Sequence, residues 1–112
     1  MKILALENEI TGFTAGDFQP HLHDEAQRIW QLHKQGVIRE IYFRADRHEA
    51  VLILECHDQH VAQAIIDTLP LVEAGLVTFE LIPLVAYDGY ERLFGQRRTC
   101  LLYTSPSPRD RS

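Results

Sequence analysis

VIREIYFRADRHEAVLILEC, residues Val37–Cys56, holds two runs of β-branched, aromatic and aliphatic residues, Val37–Arg44 and Ala50–Cys56. Such residues suit a pleated, half-buried surface. The polar stretch Ala45-Asp46-Arg47-His48-Glu49 separates them, so the two runs read as strands of a hairpin.

Upstream, Lys2–Glu9 alternates loosely and is rich in Ile and Leu, as a first strand ending before the Thr11-Gly12 turn. Asp17 is placed to cap a helix with Pro20 in its first turn, running to Gln35 and stopped by Gly36. Phe18, Leu22, Ala26, Ile29, Trp30 and Leu32 share one face, the expected core stripe, and His33 points coreward toward a buried hydrogen bond. Downstream, Asp58 caps a second helix through Leu69, with Val61, Ala64, Ile65 and Leu69 on one face and Pro70 ending it. A fourth strand spans Leu76 to Val85, and its Pro83 requires an edge or a bulge because it cannot donate to a ladder. Gly89–Phe94 forms a short terminal turn.

The order β-α-β-β-α-β is that of a ferredoxin-like α+β sandwich over residues 1–94. Two helices cover one sheet face, yet the strands carry apolar residues at both alternating positions, with Val37, Ile41 and Phe43 set against Ile38 and Tyr42. The second face therefore needs cover, and a homodimer, a dimeric α+β barrel joined sheet to sheet, supplies it and encloses a mostly apolar cavity in each half.

A chain of 112 residues makes one small domain. Its longest apolar runs, such as Ala50–Leu54, are far below the roughly 20 residues that cross a bilayer, and Glu7 interrupts the N-terminal run before any signal-peptide core forms. A soluble, cytoplasmic protein without membrane partners is expected. From Gly95 onward the texture becomes Arg-, Ser- and Pro-rich without periodicity; residues 95–112 read as a disordered, non-native tail, and Cys100–Ser112 resembles translated sequencing-adaptor read-through. The whole chain has 11 basic and 16 acidic residues, a net charge of −5; residues 96–112 hold four Arg and one Asp, so the rest has seven against fifteen, or −8. That charge repels a phosphate backbone and argues against nucleic-acid binding. Cys56 and Cys100 occupy unlike settings, which disfavours a disulfide, and Cys56 reads as a small buried hydrophobe.

Glu25 falls inside the apolar stripe of the first helix, where desolvation moves a carboxyl toward the range useful for acid–base work; an edge-of-core glutamate paired with an arginine is the alternative. By alternation Arg39 shares a side with Ile41 and Phe43, and Glu40, Tyr42 and Arg44 share the other, with Arg47 following in the hairpin; an arginine in an apolar cavity suits a substrate carboxylate, and a surface ion pair is the alternative. Glu7, Glu55 and Glu80 lie on strands, as solvated or interface residues or as a carboxylate buried opposite an arginine. His21 and His23 diverge on the helix, and His57 and His60 lack a third ligand, so no metal site is expected. No phosphate-binding glycine loop, Gly-x-Ser-x-Gly or Cys-x-x-Cys is present, which disfavours nucleotide and covalent acyl chemistry.

Over residues 1–94 the chain resembles the muconolactone delta-isomerase family. The resemblance rests on Gln35-Gly36 closing the first helix, Arg39 in the following strand, Arg47 in the hairpin, Leu69-Pro70-Leu71 ending the second helix, and Glu80 followed by Pro83-Leu84. Ile41–Asp46 and Tyr87–Tyr90 depart from the isomerases of aromatic degradation. The resemblance implies a cofactor-free 1,3-proton shift that moves a double bond in an unsaturated lactone. Glu25 matches a glutamate of the family's first helix and would be the base. Tyr42 or His23 would donate to the dienolate oxygen, and Arg39, Arg47 and Trp30 would hold the substrate. A related barrel enzyme of other chemistry, such as a cofactor-free oxygenase or dehalogenase, and a non-catalytic ligand-binding or structural dimer are the other readings.

Overall fold

The computed structural model describes residues 1–94; the expected tail at 95–112 lies outside the described residues. The elements are β1 (Lys2–Glu9), α1 (Ala15–Phe18), a 3₁₀ turn (Gln19–His21), α2 (Leu22–Lys34), β2 (Ile38–Phe43), β3 (Ala50–Glu55), α3 (Gln59–Ile66), α4 (Pro70–Glu73), β4 (Val77–Leu84) and α5 (Glu91–Phe94). The strands form one sheet in the order β2-β3-β1-β4, with every neighbouring pair antiparallel. This is the ferredoxin-like α+β sandwich. Pro83 is accommodated because β4 is an edge strand.

Local chemistry moves several boundaries from where the sequence put them. The expected Asp17–Gln35 helix is broken at Pro20, whose 3₁₀ turn separates α1 from α2. Thr14, not Asp17, is the N-cap: the Asp17 carboxylate accepts from the Thr14 backbone N–H at 2.7 Å and from its hydroxyl at 3.2 Å. Gly36, at φ +81°, ends α2 as foreseen. The Val37 N–H reaches back to the Leu32 carbonyl at 3.0 Å and the Gly36 N–H to that of His33 at 3.1 Å, a Schellman closure that needs a left-handed residue. Asp58 caps α3 by accepting the Val61 N–H at 2.9 Å, but α3 stops at Ile66, and Pro70 opens α4 at a position where its missing N–H costs nothing.

α2, α3 and α4 lie on one sheet face. Ile3, Ala5, Leu32, Ile38, Leu52, Leu54, Cys56, Ala62, Ile66 and Leu69 form the buried core there. The inner face of α3 is Ala62, Ile65, Ile66 and Leu69 beyond it, rather than one through Val61 and Ala64, which are exposed. A β-bulge at Arg39 alters β2: Ile38 pairs with Leu54, yet Ile41 pairs with Leu52 and Phe43 with Ala50. Strict alternation would set Ile38 against Ile41 and Phe43; the extra residue puts all three on the helix side and takes Arg39 out of that row. The opposite face carries Leu4, Leu6, Val51, Ile53, Ile82 and Leu84, all only partly buried.

Leu54 is fully buried, so Leu54→Ala leaves a cavity and is expected to lower unfolding free energy by about 2–5 kcal/mol. Val61→Ala, at an exposed helix position, is expected to cost far less, and urea denaturation of the two variants compares them.

Candidate active site

The first helix does not bury its whole apolar stripe. Of that stripe only Leu32 is buried; Ile29 is half-buried, Leu22 is 44% exposed and Trp30 59%. The stripe faces a pocket of about 440 Å³ between α2 and the sheet, within the ~300–1,000 Å³ usual for small-molecule sites. Phe18, Leu22, Ala26, Ile29 and Trp30 line it from the helical side, Ile41, Phe43 and Phe79 from the strands, and Leu71 from α4. Lys34 Nζ sits 5.5 Å from the centre of the Trp30 ring, and His48 stacks on Phe43 at 3.9 Å and 22°.

Three carboxylates, Glu7, Glu9 and Glu25, and two imidazoles, His33 and His48, are the ionisable lining; among the described residues no lysine or arginine lines the pocket. Glu25 comes from α2, and one of its oxygens, Oε1, accepts the Leu71 N–H at 3.0 Å, tying α2 to the start of α4. Burial pushes the Glu25 carboxyl above its ordinary 4.5, against the opposing pull of that N–H. Glu7 comes from β1, in the inward row of Ile3 and Ala5, and is only 8% exposed. β1–β3 pairing reaches Leu6–Val51, and beyond it side chains take over: Glu7 Oε1 accepts the Ala50 N–H at 2.8 Å and Glu49 Oε2 accepts the Glu9 N–H at 2.8 Å. Burial pushes Glu7 upward too, opposed by the Ala50 N–H and reinforced by the negative charges of Glu25, Glu9 and Glu49.

The site residues expected from sequence separate into two groups. Glu25 and Trp30 are in the pocket. Tyr42 pairs with Val51 on the helix-free face and donates its hydroxyl to Glu40 Oε1 at 2.7 Å. Arg39 Nε donates to the Gly36 carbonyl at 2.5 Å, and Arg47 Nε lies 2.6 Å from Glu49 Oε1, an ion pair too poorly aligned to count as a hydrogen bond. His23 is exposed and outside the lining. The structure therefore does not bring Tyr42, His23, Arg39 or Arg47 to Glu25. His33, expected to be coreward, is exposed at the pocket. Glu7, expected on a strand as a solvated residue or one buried opposite an arginine, is instead buried at the pocket, and its place two and four positions after Ala5 and Ile3 is the sequence signal for that inward row. No group of three or more His, Cys, Asp or Glu among the described residues is arranged to hold a metal ion. Cys56 is buried with its thiol pushed up by desolvation, in keeping with a packing role.

Fold and pocket together define a ferredoxin-like α+β domain with a small-molecule-sized, acid-lined site on its helix side. No protein-family model matches the sequence, and no curated protein matches it. Solved structures do. A muconolactone isomerase superposes with a TM-score of 0.66 at 13% identity, covering 79% of this chain and 92% of that one. The 5-chloro-2-hydroxyhydroquinone dehydrochlorinase of Burkholderia phenoliruptrix AC1100, in complex with 2,5-dihydroxybenzoquinone, superposes at 0.56 with 15% identity, over 80% and 98%. The chain shares their fold.

Glu7 and Glu25 hold their protons more tightly folded than unfolded. Their stabilising contribution is therefore full below the ordinary carboxyl range and is lost as pH rises through the raised values. Glu7→Gln, neutral at every pH and still able to accept the Ala50 N–H, is expected to melt above wild type near neutral pH, with the gap closing on acidification. Parallel calorimetric melts over pH check this; a gap that widens toward acid contradicts it.

Proposed function

We propose that this chain is a cofactor-free isomerase resembling muconolactone delta-isomerase, which shifts a double bond in an unsaturated lactone by moving a proton between two carbons, with Glu25 as the base. The observation that carries the reading is Glu25 itself, a desolvated carboxyl in a pocket with apolar and aromatic walls, held through one oxygen by the Leu71 N–H. A base of raised pKa is matched to abstraction of a proton from carbon near neutral pH. Holding one oxygen leaves the other to meet substrate, and aromatic walls at Trp30, Phe43 and Phe79 suit a flat conjugated molecule. The name of one neighbour, a muconolactone isomerase, supports the substrate class, and the other, bound to 2,5-dihydroxybenzoquinone, shows the fold holding a flat conjugated molecule. With no lysine or arginine among the described lining residues, the reading favours an uncharged carbonyl group at the reacting end.

The self-association read from the sequence is part of the same proposal. The row Leu4, Leu6, Val51, Ile53, Ile82 and Leu84 lies on the face opposite the pocket. A second copy presents the same aliphatic row, and covering it gains roughly 25 cal/mol per Å². Sedimentation of the wild type is expected to show a dimer and of Ile53→Asp a monomer; a wild-type monomer at micromolar concentration removes the dimer from the account.

Glu25→Gln is expected to keep the fold, verified by circular dichroism, and to lower kcat by about 10²–10⁴-fold on muconolactone or on a better unsaturated lactone found by screening. Undiminished turnover in the variant removes Glu25 from the mechanism. Absence of wild-type activity on every unsaturated lactone moves the chain to the alternative, a ligand-binding dimer without turnover.

A further inference from the structure

Taking a proton from the carbon beside a carbonyl places negative charge on the carbonyl oxygen, so the pocket needs a hydrogen-bond donor as well as a base. Neither donor expected from sequence lines the pocket. The Tyr42 hydroxyl is committed to Glu40 on the other sheet face, and His23 does not line the pocket. Glu7 does line it, from β1, while Glu25 lines it from α2. Each carboxyl is fixed in the same way, with Oε1 accepting a backbone N–H, from Ala50 at 2.8 Å and from Leu71 at 3.0 Å, and no hydrogen bond to either Oε2 is made among the described residues. Two carboxyls sharing one desolvated site do not both ionise readily, so a division into one acid and one base is the low-energy arrangement.

We propose that Glu7, in its acid form, donates a hydrogen bond from Oε2 to the substrate oxygen on which charge develops when Glu25 withdraws the proton. This rests on the reading of the site as a proton-transfer isomerase and names the group that stabilises its intermediate. The C–H bond breaks, its proton goes to Glu25 Oε2, and its electron pair enters the conjugated system to give a dienolate. Glu7 keeps its own proton and lends it as a hydrogen bond. The dienolate then takes the proton back from Glu25 at the other carbon, so neither residue is changed after a turnover. Glu7 shares the lining with Glu25 and His33 from α2, Glu9 on its own strand and His48 from the hairpin, and feels the charges of Glu25, Glu9 and the hairpin's Glu49. The carboxylates among them all oppose its ionisation.

The test uses 4-nitrophenol, whose phenolate oxygen stands for the dienolate oxygen, titrated by its visible absorbance into Glu25→Gln protein. The neutral side chain of that variant represents Glu25 after it has taken the proton. Adding Glu7→Leu is expected to weaken phenolate binding roughly 10–100-fold, the worth of one hydrogen bond to a charged group. Adding Glu7→Gln instead, which keeps a donor and the Ala50 contact, is expected to cost less, and to abolish the fall in affinity that ionisation of Glu7 causes at alkaline pH. Equal affinity with and without Glu7→Leu overturns the assignment, as does a folded Glu7→Gln variant that binds no better than Glu7→Leu, or a Glu25→Gln protein that does not bind the phenolate. The two readings fail separately. Loss of the isomerase reading shows as absent lactone turnover in wild type with phenolate binding still dependent on Glu7; loss of the Glu7 assignment shows as turnover dependent on Glu25 with phenolate binding indifferent to Glu7.

Discussion

A four-stranded sheet has two faces, and the helices of this chain cover one of them. The structure follows from how that limited cover is distributed. α3 and the residues after it close down on the sheet through Ala62, Ile66 and Leu69 and make a core with Leu52 and Leu54, while Leu71 of α4 packs with Leu76 and Val77. α2 seals only its Leu32 end, and the rest of its apolar stripe roofs a pocket. The other face is left with a partly buried aliphatic row. One shortage of helix thus accounts for both the site and the apolar face behind it.

The pocket is costly to build because it holds carboxyls away from water, and the backbone offsets part of that cost. Glu7 takes the Ala50 N–H where the β1–β3 ladder stops, and Glu25 takes the Leu71 N–H at the opening of α4, so each carboxyl satisfies a donor that would otherwise lack a partner in the fold. These bonds position the carboxyls and pull their pKa values down, yet burial prevails in both. Two hairpin arginines are paired with carboxylates outside the lining, Arg44 with Asp46 at 2.7 Å and Arg47 with Glu49 at 2.6 Å, and Lys34 lies 5.5 Å from the centre of the Trp30 ring without lining the pocket itself. The site is therefore short of positive charge, and it handles protons better than it attracts anions.

Much of the fold was legible in the sequence because periodicity and punctuation agreed. The hairpin, the Gly36 stop and the edge placement of Pro83 each follow from a local rule that the tertiary structure leaves intact. Alternation misled at Arg39, since a bulge adds a residue without any mark in composition and reverses the facing of everything after it. A helical projection correctly put Glu25 in the apolar stripe, but it could not tell a stripe facing a core from one facing a pocket, which is why Trp30 and His33 looked buried. Tyr42, Arg39 and Arg47 are near Glu25 in motif terms and not in space. Alternation in β1 put Glu7 in the row of Ile3 and Ala5, but that β1 lies in the middle of the sheet, which carries Glu7 into the pocket, is a tertiary fact.

The central claim is that Glu7 and Glu25 are desolvated carboxyls that retain protons longer than ordinary glutamates. A carbon-13 NMR titration of the side-chain carboxyls, assigned by comparison with Glu7→Gln and Glu25→Gln, measures this directly. The account predicts that both titrate above the ordinary value of 4.5 and that the Glu7 midpoint falls when Glu25 is replaced by Gln, because one of the charges raising it is gone. Both groups titrating at or below 4.5 would contradict it.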